Sequence, residues 1–295
     1  MKNSIDYSIC MANYNMAATL DRAVTSIAAQ LDSRFEIVLV DDGSSDDSVA
    51  IMHSLAARFP IVRVVPLRRS SDRKLGETRN VSVREARGRY CLLHLDCDDI
   101  YAPHLSPWIE VFHQIETAIG SDILLAGQHI HMAKRDRLLA NGPYINIFRG
   151  EDRNMYTRFG GQGLLWFLDH VDFATRLPKT GKERFQRTVS HTFDHMVTDF
   201  RSGTGFFEYL RFERIKANER SVKLVMFRLA VLPLTWLVAK FRPPIRHDQA
   251  LDGHEVVADY RGEHRGSFAA LMARHGAQPD WSRIPEASRF IFDVE

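Results

Sequence analysis

Three carboxylates stand within four residues of one another, directly after an apolar run. Asp96, Asp98 and Asp99 follow residues 90–95, whose leucines are typical of a buried central strand. Charged groups cannot stay in that layer without partners, so we expect the chain to leave the sheet at this point. Asp96 and Asp98 flank one residue, a spacing that can present two hard oxygen ligands to one divalent ion. The alternative is a solvated acidic turn.

The elements that would position these carboxylates alternate between strands and helices. Apolar runs predict strands at residues 8–11, 35–40, 61–65 and 90–95. Apolar residues at helical spacing predict helices at residues 16–30, 49–58 and 76–86. Because the strands are almost continuously apolar, the pattern predicts an α/β fold, a Rossmann-like, mostly parallel sheet with helices on both faces. No Gly-x-Gly-x-x-Gly or Walker A loop occurs, so the dinucleotide and P-loop classes lack their usual motif.

Two earlier predicted strands also end in chemically useful side chains. Tyr14 follows the first strand, and Asp41 and Asp42 follow the second. The ends of parallel strands meet at one edge of a sheet, where ligands bind in open α/β folds. An aromatic ring can stack on a base, a carboxylate can accept from a base or ribose, and a metal ion can bridge a diphosphate. The combination indicates a nucleotide-diphosphate ligand, although acidic loops alone also occur in receiver-type phosphoacceptor domains.

Four motifs in this order resemble those of family 2 glycosyltransferases of the GT-A fold. They are Ala12-Asn13-Tyr14-Asn15, Ile37-Val38-Leu39-Val40-Asp41-Asp42-Gly43-Ser44, Gly76-Glu77-Thr78-Arg79-Asn80 and Leu95-Asp96-Cys97-Asp98-Asp99. The resemblance covers residues 5–101 strongly and extends more weakly to about residue 168. It implies an inverting enzyme that moves a sugar from a nucleotide-diphosphate donor to an acceptor hydroxyl, with Mn²⁺ or Mg²⁺ as cofactor.

The resemblance also implies roles for individual residues. Nucleotide binding is expected at Ala12, Tyr14, Asp41, Asp42, Arg79 and Asp96. The metal is expected at Asp98, with Asp96 beside it. A histidine downstream is a third metal ligand or a diphosphate contact in some relatives, and the resemblance places His195, four residues after His191, in that position, as the expected third metal ligand. A surface histidine pair without such a role is the alternative.

Inversion needs a base that removes the proton from the acceptor hydroxyl. The resemblance implies that this base comes from Glu151 and Asp152 at a helix start, with Asp152 preferred and Glu151 second. Acidic residues are also favoured in a first helical turn by the helix dipole alone.

Residues 102–168 give weaker patterns. We expect helices at 108–119 and 154–168 and a strand at 123–132. His129 and His131 would face the same side of that strand. They could bind a metal, but two polar residues on a solvent face is the simpler interpretation.

Beyond residue 178 the alternation stops. We therefore expect a GT-A nucleotide-sugar-binding catalytic domain at 1–178 and a mostly helical C-terminal extension at 179–295. From Arg201 to Arg246 there are 10 Lys or Arg and 3 Glu, an excess of +7 (10 − 3). The apolar run 229–239 is shorter than the roughly 20 residues of a membrane span. Two interpretations of residues 221–241 stay open: a helix lying on an anionic membrane surface, and a helix buried against the sheet.

The composition bears on nucleic-acid binding and on the cellular compartment. A net charge of +2 gives no global nucleic-acid signature, so no nucleic-acid partner is expected. Three cysteines without a Cys-x-x-Cys pair suggest a reducing compartment, and the N-terminus lacks the apolar core of a signal peptide. We expect a cytoplasmic protein, working at the cytoplasmic face of the membrane if the extension binds lipid.

The expected partners are a nucleotide-diphosphate sugar and a glycan or lipid-linked acceptor. The alternatives are a non-catalytic nucleotide-sugar-binding protein and a sugar-phosphate nucleotidyltransferase. The latter should carry an N-terminal Gly-rich loop, and none precedes Asn15.

Overall fold

The computed structural model describes residues 4–142, 144–147, 150–177, 181–201, 203–217, 221–245 and 262–294. Its first elements are β1 (Tyr7–Asn13), α1 (Ala17–Ala28), β2 (Phe35–Asp41), α2 (Ser48–Arg58), β3 (Val62–Pro66), α3 (Leu75–Glu85) and β4 (Tyr90–Leu93). The middle elements are β5 (Asp99–Tyr101), α4 (Leu105–Ile119), β6 (Leu124–Ala126), β7 (His131–Lys134), α5 (Arg135–Asn141), α6 (Glu151–Gly160), β8 (Leu165–Leu168) and β9 (Ala174–Arg176). The last are α7 (Gly181–Arg201), α8 (Phe206–Lys216), α9 (Val222–Lys240), β10 (Arg265–Gly266), α10 (Phe268–Arg274), a 3₁₀ turn (Trp281–Arg283) and α11 (Glu286–Arg289).

Eight of these strands form one sheet, in the spatial order β10-β8-β6-β7-β4-β1-β2-β3. Only β7 runs against its neighbours β4 and β6 among the paired strands of this sheet. The predicted α/β fold, a mostly parallel sheet with helices on both faces, is confirmed.

Alternating side chains of the central strands supply two separate cores. Ile9, Met11 and Leu92 belong to one buried cluster, whereas Cys10 and Cys91 belong to the cluster on the other face. This division follows from the two-residue period of a strand, and it explains why the strands are apolar at nearly every position. The carboxyl ends of these strands therefore emerge together from a fully covered sheet.

The prediction of one strand at 123–132 is wrong. β6 and β7 are separate strands that pair antiparallel, with Ala126 opposite His131. The chain reverses between them, and His129 adopts a left-handed φ of 57°. That turn breaks the alternation, so His129 and His131 do not share a strand face. His131 is buried and contacts Tyr156, whereas His129 reaches Asp99.

The prediction of one helix at 154–168 is also wrong in its second half. α6 ends at Gly160, and β8 begins at Leu165. Gly163 between them has a left-handed φ of 72°, which glycine adopts without steric cost. The apolar spacing that suggested a longer helix belongs in part to a buried parallel strand.

Residues 262–294 return to the sheet, which the sequence did not predict. β10 pairs parallel with β8, and Gly266 lies opposite Leu168. Phe268, Ile284 and Phe292 are almost fully buried in the same core as the central strands. The boundary predicted between residues 178 and 179 falls outside the described residues, so the division into two domains stays a prediction.

Helices α7, α8 and α9 confirm the predicted helical character of this part of the chain. α9 packs on α7 and α8, and Met196, Tyr209 and Leu232 form a small core of their own. An 18-residue window of the 19-residue helix α9 has a mean hydropathy of 1.8, and 22% of that window is buried, so by length and composition α9 is a candidate membrane span. Its exposed apolar side chains do not fit a helix buried against the sheet.

One buried ion pair fastens α9 to α8. Arg228 donates to both carboxylate oxygens of Glu213 at 2.6–3.0 Å and to the Tyr209 hydroxyl at 2.8 Å. The two charged side chains are 8% and 1% exposed. Such a pair costs desolvation to form, but removing one partner leaves the other charge buried and alone.

We expect Glu213→Leu to lower the free energy of unfolding by about 3–5 kcal/mol, because it leaves the Arg228 guanidinium buried without a carboxylate partner. Glu213→Leu with Arg228→Met should recover most of that loss. Urea unfolding checks both variants, with Asp169→Asn, which breaks an exposed pair to Arg265, as the control. A single variant that loses less than about 1 kcal/mol would contradict the argument.

Candidate active site

The ends of β1, β2 and β4 meet through direct contacts. Asn13 Nδ2 donates to Asp41 Oδ1 at 2.8 Å, and the two residues face each other in the β1–β2 register. The Cys97 thiol lies 3.5 Å from the Ala12 carbonyl oxygen, which ties the first loop to the acidic motif. The predicted convergence of the three loops on one edge is therefore present in the structure.

Asp41 shapes its own loop. Its Oδ1 accepts from Asn13 Nδ2 and from the Ser44 hydroxyl, at 2.8 and 2.5 Å. Its Oδ2 accepts from the backbone N–H groups of Gly43 and Ser44, at 3.0 and 2.8 Å. Gly43 has a φ of 73°, and a Cβ there would lie 2.5 Å from the backbone nitrogen of Arg69. Asp41 thus holds the Gly-Ser turn, and its nucleotide contact stays a prediction.

Asp42 lies between two arginines that the sequence analysis missed. Arg69 Nη1 and Arg73 Nε each donate to one of its oxygens at 2.5 Å. The Arg69 guanidinium also lies 4.3 Å from the centre of the Tyr14 ring, which is 44% exposed. The signal was available, because Arg68, Arg69, Arg73 and Lys74 form a basic loop after the third predicted strand.

The metal-type motif forms a tight acidic cluster. Asp96, Asp98 and Asp99 each offer an oxygen within 4.8 Å of the others. Burial raises the pKa of Asp96 although Arg79 and Arg176 oppose the effect. Burial alone would also raise the pKa of Asp99, but hydrogen bonds from His129 and Arg176 outweigh it and lower the pKa to about 2. Clustered carboxylate oxygens are the ligands that Mn²⁺ and Mg²⁺ prefer, so this donor set fits a divalent ion.

Arg79 connects the acidic cluster with the candidate base. Its Nη2 lies 3.4 Å from Asp96 Oδ1, and its Nε lies 3.5 Å from Glu151 Oε1. Burial would lower the pKa of this guanidinium, but the charges of Glu151 and Asp96 raise it above its usual value. Arg79 is therefore a fixed cation between the two acidic groups.

Glu151 and Asp152 open α6, as predicted, but their surroundings differ. Glu151 is 4% exposed, and burial raises the pKa of its carboxyl to about 7 despite the opposing charge of Arg79. Asp152 is half-buried, and its Oδ1 accepts from the Arg153 backbone N–H at 2.8 Å. The Asp152 side chain is thus more accessible to solvent than that of Glu151.

His195 lies outside the acidic cluster. Among the described residues, the group of ligand atoms around Asp96 contains no histidine. His195 stands one turn before Asp199 on α7, and Asp199 pairs with Arg153 beside the candidate base at 2.6 Å. The helix that carries His195 therefore packs beside α6, and the role of His195 as a metal ligand stays a prediction.

Comparison with known proteins agrees with this architecture. A mannosyltransferase of Pyrobaculum calidifontis, solved with GDP-mannose and Mn²⁺, is 15% identical with a TM-score of 0.50, covering 96% of this chain and 81% of its own. TarS of S. aureus is 13% identical with a TM-score of 0.50, covering 97% of this chain and 50% of its own. At these identities the likeness concerns the fold alone, which is the GT-A fold.

The sequence comparisons identify the family. The profile of glycosyl transferase family 2 matches residues 8–167, more than half of the chain. The chain belongs to that family. An uncharacterized glycosyltransferase of Nostoc sp. is 37% identical over 114 residues, which are 38% of this chain and 34% of the relative. A cholesterol galactosyltransferase of Borreliella burgdorferi is 27% identical over 223 residues, 75% of this chain and 52% of the relative. The chain thus spans about a third to a half of these relatives.

The raised pKa of Glu151 predicts a pH-dependent stability. Its ordinary value is 4.5 and its value in the fold is about 7, so between these pH values the folded chain holds a proton that the unfolded chain has released. The stability contributed by this group therefore falls as the pH rises through that window.

We expect Glu151→Gln to remove this loss of stability between pH 4.5 and 7, because glutamine has no proton to release. Urea unfolding of wild type and variant across the window measures the difference, with the exposed Glu286→Gln as the control. Parallel pH profiles for wild type and Glu151→Gln would contradict the assignment.

Proposed function

We propose that this protein is a metal-dependent inverting glycosyltransferase. It transfers a hexose-type sugar from a nucleotide-diphosphate donor to an acceptor hydroxyl. The observation that carries the proposal is the line of contacts from the nucleotide loops through the acidic cluster to Arg79 and the Glu151–Asp152 pair. Family membership supports the reaction class, and the acidic cluster supports the cation, Mn²⁺ or Mg²⁺.

In the proposed reaction the acceptor oxygen attacks the anomeric carbon of the donor sugar. The acceptor O–H bond breaks as its proton passes to the Asp152 carboxylate, which acts as general base. The bond from the anomeric carbon to the diphosphate breaks with its electron pair, so nucleoside diphosphate leaves and the configuration inverts. A divalent ion held by Asp96 and Asp98 would neutralise charge on the diphosphate.

The surrounding residues have supporting tasks in this proposal. Tyr14, Asp42 and the Ala12 loop form the side of the edge that receives the base and ribose. Arg79 keeps Glu151 near Asp96, and it adds a fixed positive charge close to the departing diphosphate. Glu151, second choice for the base, is 4% exposed and lies 3.5 Å from this arginine, so an acceptor reaches it less readily than Asp152.

We expect Asp152→Asn to lower turnover at least about 100-fold, because the amide cannot accept the proton. Donor binding should survive within a few-fold. Release of UDP or GDP from UDP- and GDP-linked hexoses, with a panel of sugar and lipid acceptors, measures turnover. Thermal shifts with UDP and GDP plus Mn²⁺ measure binding.

The control for this variant is Asp136→Asn, which changes a side chain that is 97% exposed. A non-catalytic nucleotide-sugar binder would release no nucleotide in wild type or variant while still binding it. A nucleotidyltransferase would release pyrophosphate from a nucleoside triphosphate. Full turnover in Asp152→Asn would refute the assignment of the base.

We further propose that α8 and α9 rest on the cytoplasmic face of an anionic membrane, where the enzyme meets a lipid-linked acceptor or a growing cell-surface glycan. Phe207, Met226 and Phe241 are 81%, 66% and 83% exposed. Exposed cations lie on the same helices and just beyond them: Arg211, Arg214, Lys223, Lys240 and Arg242. Apolar side chains that enter the lipid interface beside cations that attract its headgroups make up a peripheral membrane surface.

We expect Phe207→Ser with Met226→Ser and Phe241→Ser to weaken binding to vesicles that contain phosphatidylglycerol, because the triple variant removes three of the most exposed apolar side chains of this surface. Vesicle flotation measures binding, and wild type should bind pure phosphatidylcholine more weakly. Phe290→Ser, at a position 58% exposed outside these helices, is the matched control. Equal flotation of the triple variant and wild type would refute the membrane surface.

A further inference from the structure

One arginine occupies the middle of the acidic cluster. Arg176 Nη2 lies 3.1 Å from Asp96 Oδ2, 3.8 Å from Asp98 Oδ1 and 3.0 Å from Asp99 Oδ2. A single guanidinium nitrogen therefore faces all three carboxylates that the motif would offer to a cation. No motif in the sequence marks Arg176, which stands 77 residues after Asp99.

Asp99 holds this arginine in place. The two residues face each other across the two-stranded β5–β9 sheet. Arg176 Nε donates to Asp99 Oδ1 at 2.8 Å, so the pair is bidentate, and His129 contacts Asp99 Oδ2 at 3.1 Å. The Leu177 N–H donates to the Asp98 carbonyl at 2.8 Å, which fixes the chain next to Arg176. The oxygens of Asp99 are thus engaged by Arg176 and His129, and the same Nη2 group also faces Asp96 and Asp98.

We propose that Arg176 is an internal counter-ion, held by Asp99, that occupies the cation position between Asp96 and Asp98. A divalent ion then binds there only when the Arg176 Nη2 group moves out of that position. Two cations at this spacing repel each other, so the bare metal ion binds weakly. A nucleotide diphosphate adds negative charge that both cations can share, so metal and nucleotide each raise the affinity for the other. This inference rests on the metal dependence of the proposed function.

Mn²⁺ binding to the full chain tests the inference without using activity. Electron paramagnetic resonance of free Mn²⁺ gives its affinity with and without UDP or GDP, for wild type, Arg176→Gln and Arg176→Lys. We expect Arg176→Gln to bind Mn²⁺ alone about tenfold more tightly than wild type, the effect of removing one partly screened charge. The gain that nucleotide gives to Mn²⁺ affinity should shrink in the same variant.

Arg176→Lys is a second variant that keeps the inference testable if Arg176→Gln does not fold. Lysine keeps a positive charge but cannot hold Asp99 in a bidentate pair, so Mn²⁺ affinity should rise by a smaller factor. Arg265→Gln, which removes an arginine paired with Asp169, should bind Mn²⁺ as wild type does. The melting temperature of Arg176→Gln should rise more on addition of Mn²⁺ than that of wild type.

The Mn²⁺ measurements distinguish failure of the counter-ion role from failure of the metal dependence. If wild type binds Mn²⁺ with nucleotide but both Arg176 variants bind Mn²⁺ alone no more tightly than wild type, the counter-ion role is refuted and the proposed function stands. If neither wild type nor any variant binds Mn²⁺ under any condition, the metal dependence fails and the counter-ion role fails with it.

Discussion

The need to neutralise carboxylates that are clustered and partly or fully buried governs this edge of the sheet. Like charges at hydrogen-bond spacing cannot all stay ionised in a poorly solvated site without cations beside them. The protein meets this constraint three times with arginine: Arg69 and Arg73 beside Asp42, Arg176 beside Asp99, and Arg79 between Asp96 and Glu151. Each guanidinium comes from a segment that lies elsewhere in the sequence: the loop after β3, helix α3 or strand β9. The site is thus a set of fixed charges before any ligand arrives, which is the condition for electrostatic preorganisation.

The sheet holds these charged side chains in fixed positions at its edge. Its central strands are covered on both faces, so they can rigidly hold the loops that carry Asn13, Asp41 and Asp96 at one edge. Asp41 is an example, because its oxygens accept hydrogen bonds from Asn13 and from the Gly43–Ser44 turn that follows β2. An acidic residue in a nucleotide-binding motif can therefore serve the loop rather than the ligand.

Much of this arrangement could be predicted from sequence, and the limits have a physical cause. Patterns that are local, such as apolar strands and the Asp96–Asp98 spacing, located the sheet and the acidic cluster. The strand at 123–132 failed because a left-handed turn at His129 leaves no mark on hydropathy. Arg176 was missed because only the pairing of β5 with β9 brings it to Asp99, and no local pattern encodes that pairing. Glu151 and Asp152 were located, but their different burial depends on the packing around α6.

The return of residues 262–294 to the sheet bears on how the chain is made. Ribosomes release a protein from its N-terminus, and its early segments can begin to fold while later ones are still being added. Here β8 acquires its neighbour β10, and the main core acquires Phe268 and Phe292, only after the helices α7 to α9 have been synthesised. During that interval the edge of β8 and part of an apolar core are uncovered. The nascent chain then exposes an unpaired strand edge and apolar surface, which are features that promote aggregation and that chaperones engage.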